Sequence, residues 1–280
     1  MISQGAAVLR PYIPIIYMIS ILYILWLRQV KRYLRSRSRI VGSLGQPLLF
    51  LLALGFGFGP TFEKAGGGNY FQFLVPGVVA MSILFTAMFS GIEIIWDRQF
   101  GFLKETLVAP VSRLTIMVGR TLGGATVATL QGCIVFVLAM LFGFRPECVG
   151  GAAGVACSVP THVLMLFVGL GFMFLIALLF TALGTAVACK LEDMQGFQLI
   201  MNFLIMPLFF LSGALFPLDT APAALTMIAR FDPLSYGIDG LRGTLIGVSH
   251  FGILFDMGIL VVITTFFLWI GSVLFRKIEV

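Results

Sequence analysis

Residues Trp96 to Arg120 read WDRQFGFLKETLVAPVSRLTIMVGR, the polar interval that best interrupts an otherwise apolar chain. Phe100, Leu103 and Leu107 fall at i, i+3 and i+7, the spacing of a single helix face. Arg98, Gly101, Lys104 and Glu105 then point the other way. Asp97 is a fair N-cap, and Pro110 stops the helix at Ala109. The spacing predicts a short amphipathic helix over 97–110 at a membrane surface, its polar face turned toward another protein. The alternative is an ordinary loop between two spans, whose arginines anchor lipid headgroups.

What surrounds this interval sets the class. The 280 residues are 59% hydrophobic and 11% charged, with a mean hydropathy of +1.06. A soluble domain carries about 25% charged residues, so this is the composition of an all-α polytopic membrane protein. A span needs ~20 mostly apolar residues, which leaves room for about six spans, short loops and no sizeable soluble domain. The alternating ten-residue strands of an outer-membrane barrel are missing. The net charge of +6 does not point to nucleic acid. Its basic residues cluster beside apolar segments, as cytoplasmic anchors do.

Upstream, the apolar run Ile15 to Leu27 is too short to span comfortably, and Arg28, Lys31, Arg32, Arg35, Arg37 and Arg39 follow it. Interleaved Val30, Leu34 and Ile40 predict an amphipathic helix over 15–40 in the interface plane, its arginines toward anionic headgroups. A short first span with the N-terminus outside is the rival. Spans are expected near 41–60, 71–95, 114–144, 160–188, 197–211 and 251–275. Gly55 and Gly59 give the first a small-residue spacing for close helix approach. Glu93 is placed near the inner end of the second, close to water. Thr126, Thr129 and Gln131 on the third should face other helices or an aqueous cavity. Between the fifth and sixth, Pro217, Pro222 and Pro233 break residues 212–247 into two pieces, Pro222 to Phe231 and Pro233 to Ile246, each too short to span. They are expected as half-helices at the outer leaflet, lining or capping an opening, or else as a compact outer loop. With the N-terminus inside, most arginines and lysines fall on the inner side, which puts both termini in the cytoplasm.

Reactive chemistry is sparse. Cys133, Cys148, Cys157 and Cys189 form no CxxC pair, so no zinc site is expected. Cys148 and Cys157 flank an outer loop and could pair or stay free. His162 and His250 stand alone, and no Ser-His-Asp grouping or carboxylate pair at membrane depth is recognisable. No lysine follows a glycine, so no P-loop cradles ATP. Glu93 and Asp256, both near span ends, are the nearest candidates for ion coupling. No catalytic, cofactor-binding or metal residues are predicted. If the chain moves anything, the energy comes from outside it.

Four segments carry a resemblance: GQPLLFLLALGFGFG at 45–59, FLVPGVVAMSILF at 73–85, RQFGFLKETLVAPVSR at 98–113, and LSGALFPLDTAPAAL with DPLSYGIDGLRG toward the end. Over nearly its whole length the chain resembles the membrane subunits of ABC type-2 exporters, the group of daunorubicin-resistance, nodulation-factor and polysaccharide-export permeases. The resemblance implies one transmembrane domain over 1–280, paired with a second copy as a homodimer and with two separate ATPase subunits that bind ATP and Mg. It implies a coupling helix at 97–110 that seats in the ATPase through Arg98, Gly101, Phe102, Lys104, Glu105, Thr106 and Arg113. Arg28, Lys31, Arg32 and Arg35 would lie on an interface helix, and 212–247 would form an outer re-entrant hairpin. Gln131, Asn202, Phe203, Phe209, Phe210, Pro217 and Tyr236 are the candidates for the substrate pathway. An amphipathic drug-like or lipid-linked cargo is expected, with a polysaccharide or lipo-oligosaccharide as the nearest rival. An ion-coupled carrier or a non-transporting membrane partner is the reading from another class.

Overall fold

The structure is a computed structural model that describes residues 15–64, 68–102, 112–146, 159–218 and 221–276. Among them run ten helices: α1 (Ile15–Arg35), α2 (Arg37–Lys64), α3 (Tyr70–Phe89), α4 (Ile92–Gln99), α5 (Arg113–Leu141), α6 (Val159–Ala188), α7 (Met194–Leu211), α8 (Ala223–Ala229), α9 (Pro233–Leu245) and α10 (Ile253–Arg276). The protein is all-α, and six helical stretches are long and apolar enough to cross a membrane: α2, α3 continued by α4, α5, α6, α7 and α10. The chain doubles back between them. One end of the bundle therefore gathers Arg37, Gln99, Arg113, Ala188, Met194 and Arg276. The other gathers Lys64, Tyr70, Leu141, Leu211, α8, α9 and Ile253.

α3 is the axis. It packs against α2, α5 and α6, and 72% of its most apolar stretch is buried, against 17% for α2 and 22% for α7. Lipid is as apolar as these side chains, so close packing rather than hydrophobic withdrawal holds such helices together. The closest approach is at the α3–α4 junction. A Cβ on Gly91 would strike the Gly184 carbonyl of α6, and one on Gly184 would strike the Met88 carbonyl. Of the predicted Gly55–Gly59 pair, only Gly55 is used, against the Phe71 ring; nothing lies within 4 Å of a Cβ placed on Gly59.

α1 follows α5 lengthwise. Leu22 and Leu25 sit at Gly119, and Trp26 and Gln29 sit at Gly123. Trp26 Nε1–H donates to Thr126 Oγ1 at 2.9 Å, and the Tyr33 hydroxyl donates to Gln131 Oε1. Thr126, Thr129 and Gln131 thus face helices, Thr129 bonding back to the Ala125 carbonyl at 2.8 Å. The basic stretch 15–40 is split rather than continuous. α1 ends at Arg35, Ser36 carries the break, and the Ser36 carbonyl accepts from Arg39 and Ile40 to start α2.

The helix expected over 97–110 does not start at Asp97. Asp97 lies inside α4, which ends at Gln99. Its carboxylate accepts from arginine side chains rather than capping backbone N–H groups. Gly101 stops the helix by taking a left-handed φ of 79° one residue past Phe100. Leu103, Leu107 and the rest of 103–111 lie outside the described residues, as do Cys148 and Cys157. At the far end, Asp232 caps α9 by accepting from Leu234 N–H at 2.8 Å, with Pro233 at the first helical position. α9 is buried along its length against α3, α6 and α10.

Overpacking at a backbone-to-backbone contact costs about 1–3 kcal/mol or more. Gly184→Val is therefore expected to lower the thermal midpoint of the purified protein by several degrees. Gly258→Val, on a surface with nothing within 4 Å, should leave the midpoint near the wild-type value.

Candidate functional site

Glu93 and Asp97 sit one turn apart on α4, so both project from one face. That face is buried, leaving Glu93 7% and Asp97 4% exposed. The expectation that Glu93 lies close to water is corrected: guanidinium groups take the place of solvent. Arg32 of α1 and Arg39 of α2 each reach Glu93 at 3.4 Å. Arg28 of α1 reaches Asp97 at 3.4 Å, and Arg120 of α5 makes the shortest contact of the set with the other Asp97 oxygen. Two carboxylates thus meet four arginines drawn from three helices.

The contacts are unequal. Arg120 and Asp97 are both buried, so removing either partner strands the other charge and costs about 3–5 kcal/mol. Arg28, Arg32 and Arg39 are roughly 40% exposed, and pairs of that kind contribute about 0–1 kcal/mol each.

The opposite face of α4 grips the end of α6. Arg98 donates to the Leu191 and Cys189 carbonyls, both at 3.2 Å, which satisfies acceptors that a helix C-terminus leaves open. Gln99 Nε2 donates to the Glu192 carbonyl at 3.0 Å. α4 is therefore fastened to α1, α2, α5 and the α6–α7 turn within two helical turns. On the far side of 103–111, the Ser112 hydroxyl accepts from Thr115 N–H at 3.1 Å and caps α5.

Beside this node a cavity of about 230 Å³ opens between α1, α2 and α3. Arg39, Ser43, Gln46, Ser82 and Thr86 give it a polar side, and Met81, Phe85 and Phe89 an apolar one. Arg28, Lys31, Arg32, Arg35 and Arg37 line a shallow basic surface at the same end.

The residues singled out from the sequence fall in several places. Arg98 is engaged within the chain, Gly101 ends α4, Phe102 is exposed, and Arg113 opens α5 at the surface. Lys104, Glu105 and Thr106 lie outside the described residues. Arg28 and Arg32 join the node, whereas Lys31 and Arg35 are exposed beside it. The pathway candidates are not brought together. Gln131 is enclosed against Tyr33. Asn202, Phe203 and Phe210 share the exposed face of α7, while Phe209 turns inward onto Phe50. Pro217 is half-buried past the end of α7, and the Tyr236 hydroxyl donates to the Arg230 carbonyl at 2.7 Å at the far end.

Sequence reasoning missed the Asp97–Arg120 pair. The signal available was a carboxylate pair at i and i+4 together with an arginine two turns inside a predicted span. It also missed a carboxylate pair at the other end, where Asp239 of α9 meets Asp256 of α10; the partners lie on separate elements.

Asp97→Asn and Arg120→Gln are each expected to destabilise the purified protein by about 3–5 kcal/mol. The double variant should cost less than the sum of the two. Arg32→Gln should cost under about 1 kcal/mol. Chemical or thermal unfolding of the four proteins beside wild type reads the coupling.

Comparison with known proteins places the chain. A nodulation protein J of Rhizobium leguminosarum bv. trifolii is 30% identical over 242 residues, covering 86% of this chain and 86% of its own. A transport permease ycf38 of Cyanophora paradoxa is 28% identical over 94% of this chain and 90% of its own. The inner membrane transport permease YadH of Escherichia coli K12 is 25% identical over 90% of this chain and 93% of its own. The sequence profile of the ABC-2 type transporter matches residues 21–246, a range that takes in the acid–arginine node and the half-helices alike. The chain is thus a multi-pass membrane protein and a permease subunit of the ABC-2 type transporter family.

Proposed function

We propose that the chain is the membrane half of an ATP-driven exporter, acting in the cytoplasmic (inner) membrane as a homodimer with two ATPase subunits. The chain itself holds no cofactor; ATP and Mg bind the ATPase, and no step of the chemistry falls on permease residues. The basic end faces the cytoplasm with both termini, in line with the positive-inside rule. α8 and α9 then lie on the outer side as a re-entrant hairpin.

One observation carries the reading. In sequence, residues 103–111 connect two helices that are already joined by Asp97 and Arg120. A push on that segment by an ATPase reaches α4 and α5 together. The acid–arginine node passes the motion to α1 and α2, and Arg98 passes it to the end of α6. ATP-driven closure of the ATPase pair would tilt these helices as one body and open a path between the two permease copies. The sparsely covered α2 and α7 supply the faces for the second copy. Lys104 and Glu105 serve as the handle on the ATPase side.

Cargo enters beside the node. Arg39 at one side of the cavity and Phe85 and Phe89 at the other suit an amphipathic molecule with an anionic head, drug-like or lipid-linked. The relatives named for nodulation favour a lipo-oligosaccharide or polysaccharide as the second reading.

Glu105→Lys is expected to reduce co-purification with the partner ATPase several-fold, while membrane insertion stays at the wild-type level. Affinity capture with quantitative blotting of both subunits checks it, and undiminished co-purification contradicts the role. ATP hydrolysis by the wild-type complex should rise with the true cargo in a panel of amphipathic drugs, lipid-linked sugars and lipo-oligosaccharides. Full transport by the permease in vesicles without an ATPase would contradict the whole reading.

A further inference from the structure

The cavity beside the acid–arginine node shares one residue with it. Arg39, Ser43 and Gln46 fall at i, i+4 and i+7 on α2 and so project from one face. Ser82, Phe85, Thr86 and Phe89 do the same on α3 across the cavity. Among the described residues that line it, Arg39 alone carries a charge. The Ser43 hydroxyl gives its proton to the Ile40 carbonyl at 3.0 Å, and the Ser82 hydroxyl gives its proton to the Val79 carbonyl at 2.8 Å. The Tyr33 hydroxyl donates to Gln131. The Arg39 guanidinium is therefore the strongest donor the cavity has.

Arg39 also belongs to Glu93, and that tie is loose. It donates to Glu93 Oε1 at 3.4 Å, with its side chain 39% exposed. Charge-assisted N–H···O bonds close to about 2.7–2.9 Å. Glu93 has a second cation, because Arg32 of α1 stands 3.4 Å from its other oxygen. Asp97 and Arg120 are the opposite case, buried on both sides and in the shortest contact of the node. A half-exposed pair gives way easily, whereas a guanidinium holds an oxyanion through two parallel bonds. Met81, Phe85 and Phe89 offer an apolar wall for a chain attached to such a head.

We propose, on the reading that cargo enters at this cavity, that Arg39 is exchanged between Glu93 and the oxyanion head of the cargo. The ligand class is an amphiphile whose head is a phosphate or a similar oxyanion. One side chain then both binds the head and senses that the cavity is filled. With the cavity empty, Arg39 ties α2 to α4. With it filled, Arg39 turns to the head, Glu93 keeps Arg32, and α2 is released from α4 while α1 stays bound. The tie of α4 to α2 thus holds only while the cavity is empty. α2 is suited to such release: 17% of its most apolar stretch is buried, and Ser36 separates it from α1.

Exchange makes Glu93 and the head competitors for one guanidinium. Neutralising Glu93 strengthens binding of the head. Removing Arg32 weakens it, because Glu93 then draws Arg39 harder, although Arg32 does not line the cavity. Both effects pass through Arg39 and vanish without it. A long-range field would act with or without Arg39.

The test titrates radiolabelled dodecyl phosphate onto the nucleotide-free permease–ATPase complex in phosphatidylcholine nanodiscs, with empty discs subtracted. Dodecyl maltoside is the neutral probe and inorganic phosphate the chainless anion. Arg39→Gln should weaken dodecyl phosphate about ten-fold, and Glu93→Gln should tighten it about three-fold. In an Arg39→Gln parent, Glu93→Gln should change nothing. Dodecyl maltoside should respond to neither variant, and millimolar inorganic phosphate should not displace the labelled probe. Arg32→Gln should weaken the labelled probe about two-fold, which keeps the test open if Glu93→Gln fails to fold. Tightening by Glu93→Gln that persists in the Arg39→Gln parent overturns the exchange, as does unchanged affinity in Arg39→Gln. Displacement by inorganic phosphate overturns the ligand class. In those cases saturable binding of dodecyl phosphate leaves the entry site standing, whereas a lack of saturable binding by both amphiphiles removes the entry reading as well.

Discussion

Asp97 and Arg120 cannot be separated cheaply. Both are withdrawn from solvent on neighbouring helices in a mostly apolar bundle. A lone charge in such a place costs several kcal/mol, so once the pair is formed α4 and α5 do not part without stranding a buried charge. Apolar contact is a weak fastener here, because lipid offers the same contact to any helix that leaves. The rest of the basic end is arranged around that pair. Glu93, one turn earlier, draws Arg32 and Arg39 inward, and Arg28 completes the set on Asp97.

The consequence is mechanical. α1 lies along α5 in register, seated on Gly119 and Gly123 and pinned by Trp26 and Tyr33. α4 is pressed on α6 through the Gly91–Gly184 contact and held at the α6 terminus by Arg98. Each element is fixed at two points, which makes a stiff unit from short side chains. A soluble partner acting on the segment between α4 and α5 would move that unit whole. The other end is built differently: a half-helix, α9, is buried against three helices, and a pair of acids marks its joint with α10. The two ends thus differ: one is a stiff handle tied by ion pairs, the other a buried half-helix packed between spans.

Most of the membrane architecture was legible in the sequence. Hydropathy and length locate the spans, and Pro222 and Pro233 mark the half-helices, because both signals are local. The node was not legible. Its pairs join residues 54 to 69 positions apart along α1, α2 and α4, and nothing in local periodicity says which arginine meets which acid. Asp97 misled for the same reason. As a residue type before a polar stretch it reads as an N-cap, yet a buried arginine is the stronger claim on its carboxylate. Arg98 looked like a surface cation on a coupling helix, whereas the open carbonyls of a helix end 91 to 93 residues away take it up. Gly101 was legible as a polar-face residue but not as a stop, which depends on its left-handed φ.

The central claim is that α1 and α5 travel as one body when the partner ATPase works. Spin labels at Ile19 on α1 and Leu141 on α5, both exposed, in one copy of a complex free of native cysteines, measure it by pulsed electron resonance. The account predicts one narrow distance that stays the same between the nucleotide-free and ATP-trapped complexes. A shift of that distance on ATP binding, or its division into two populations, would contradict it.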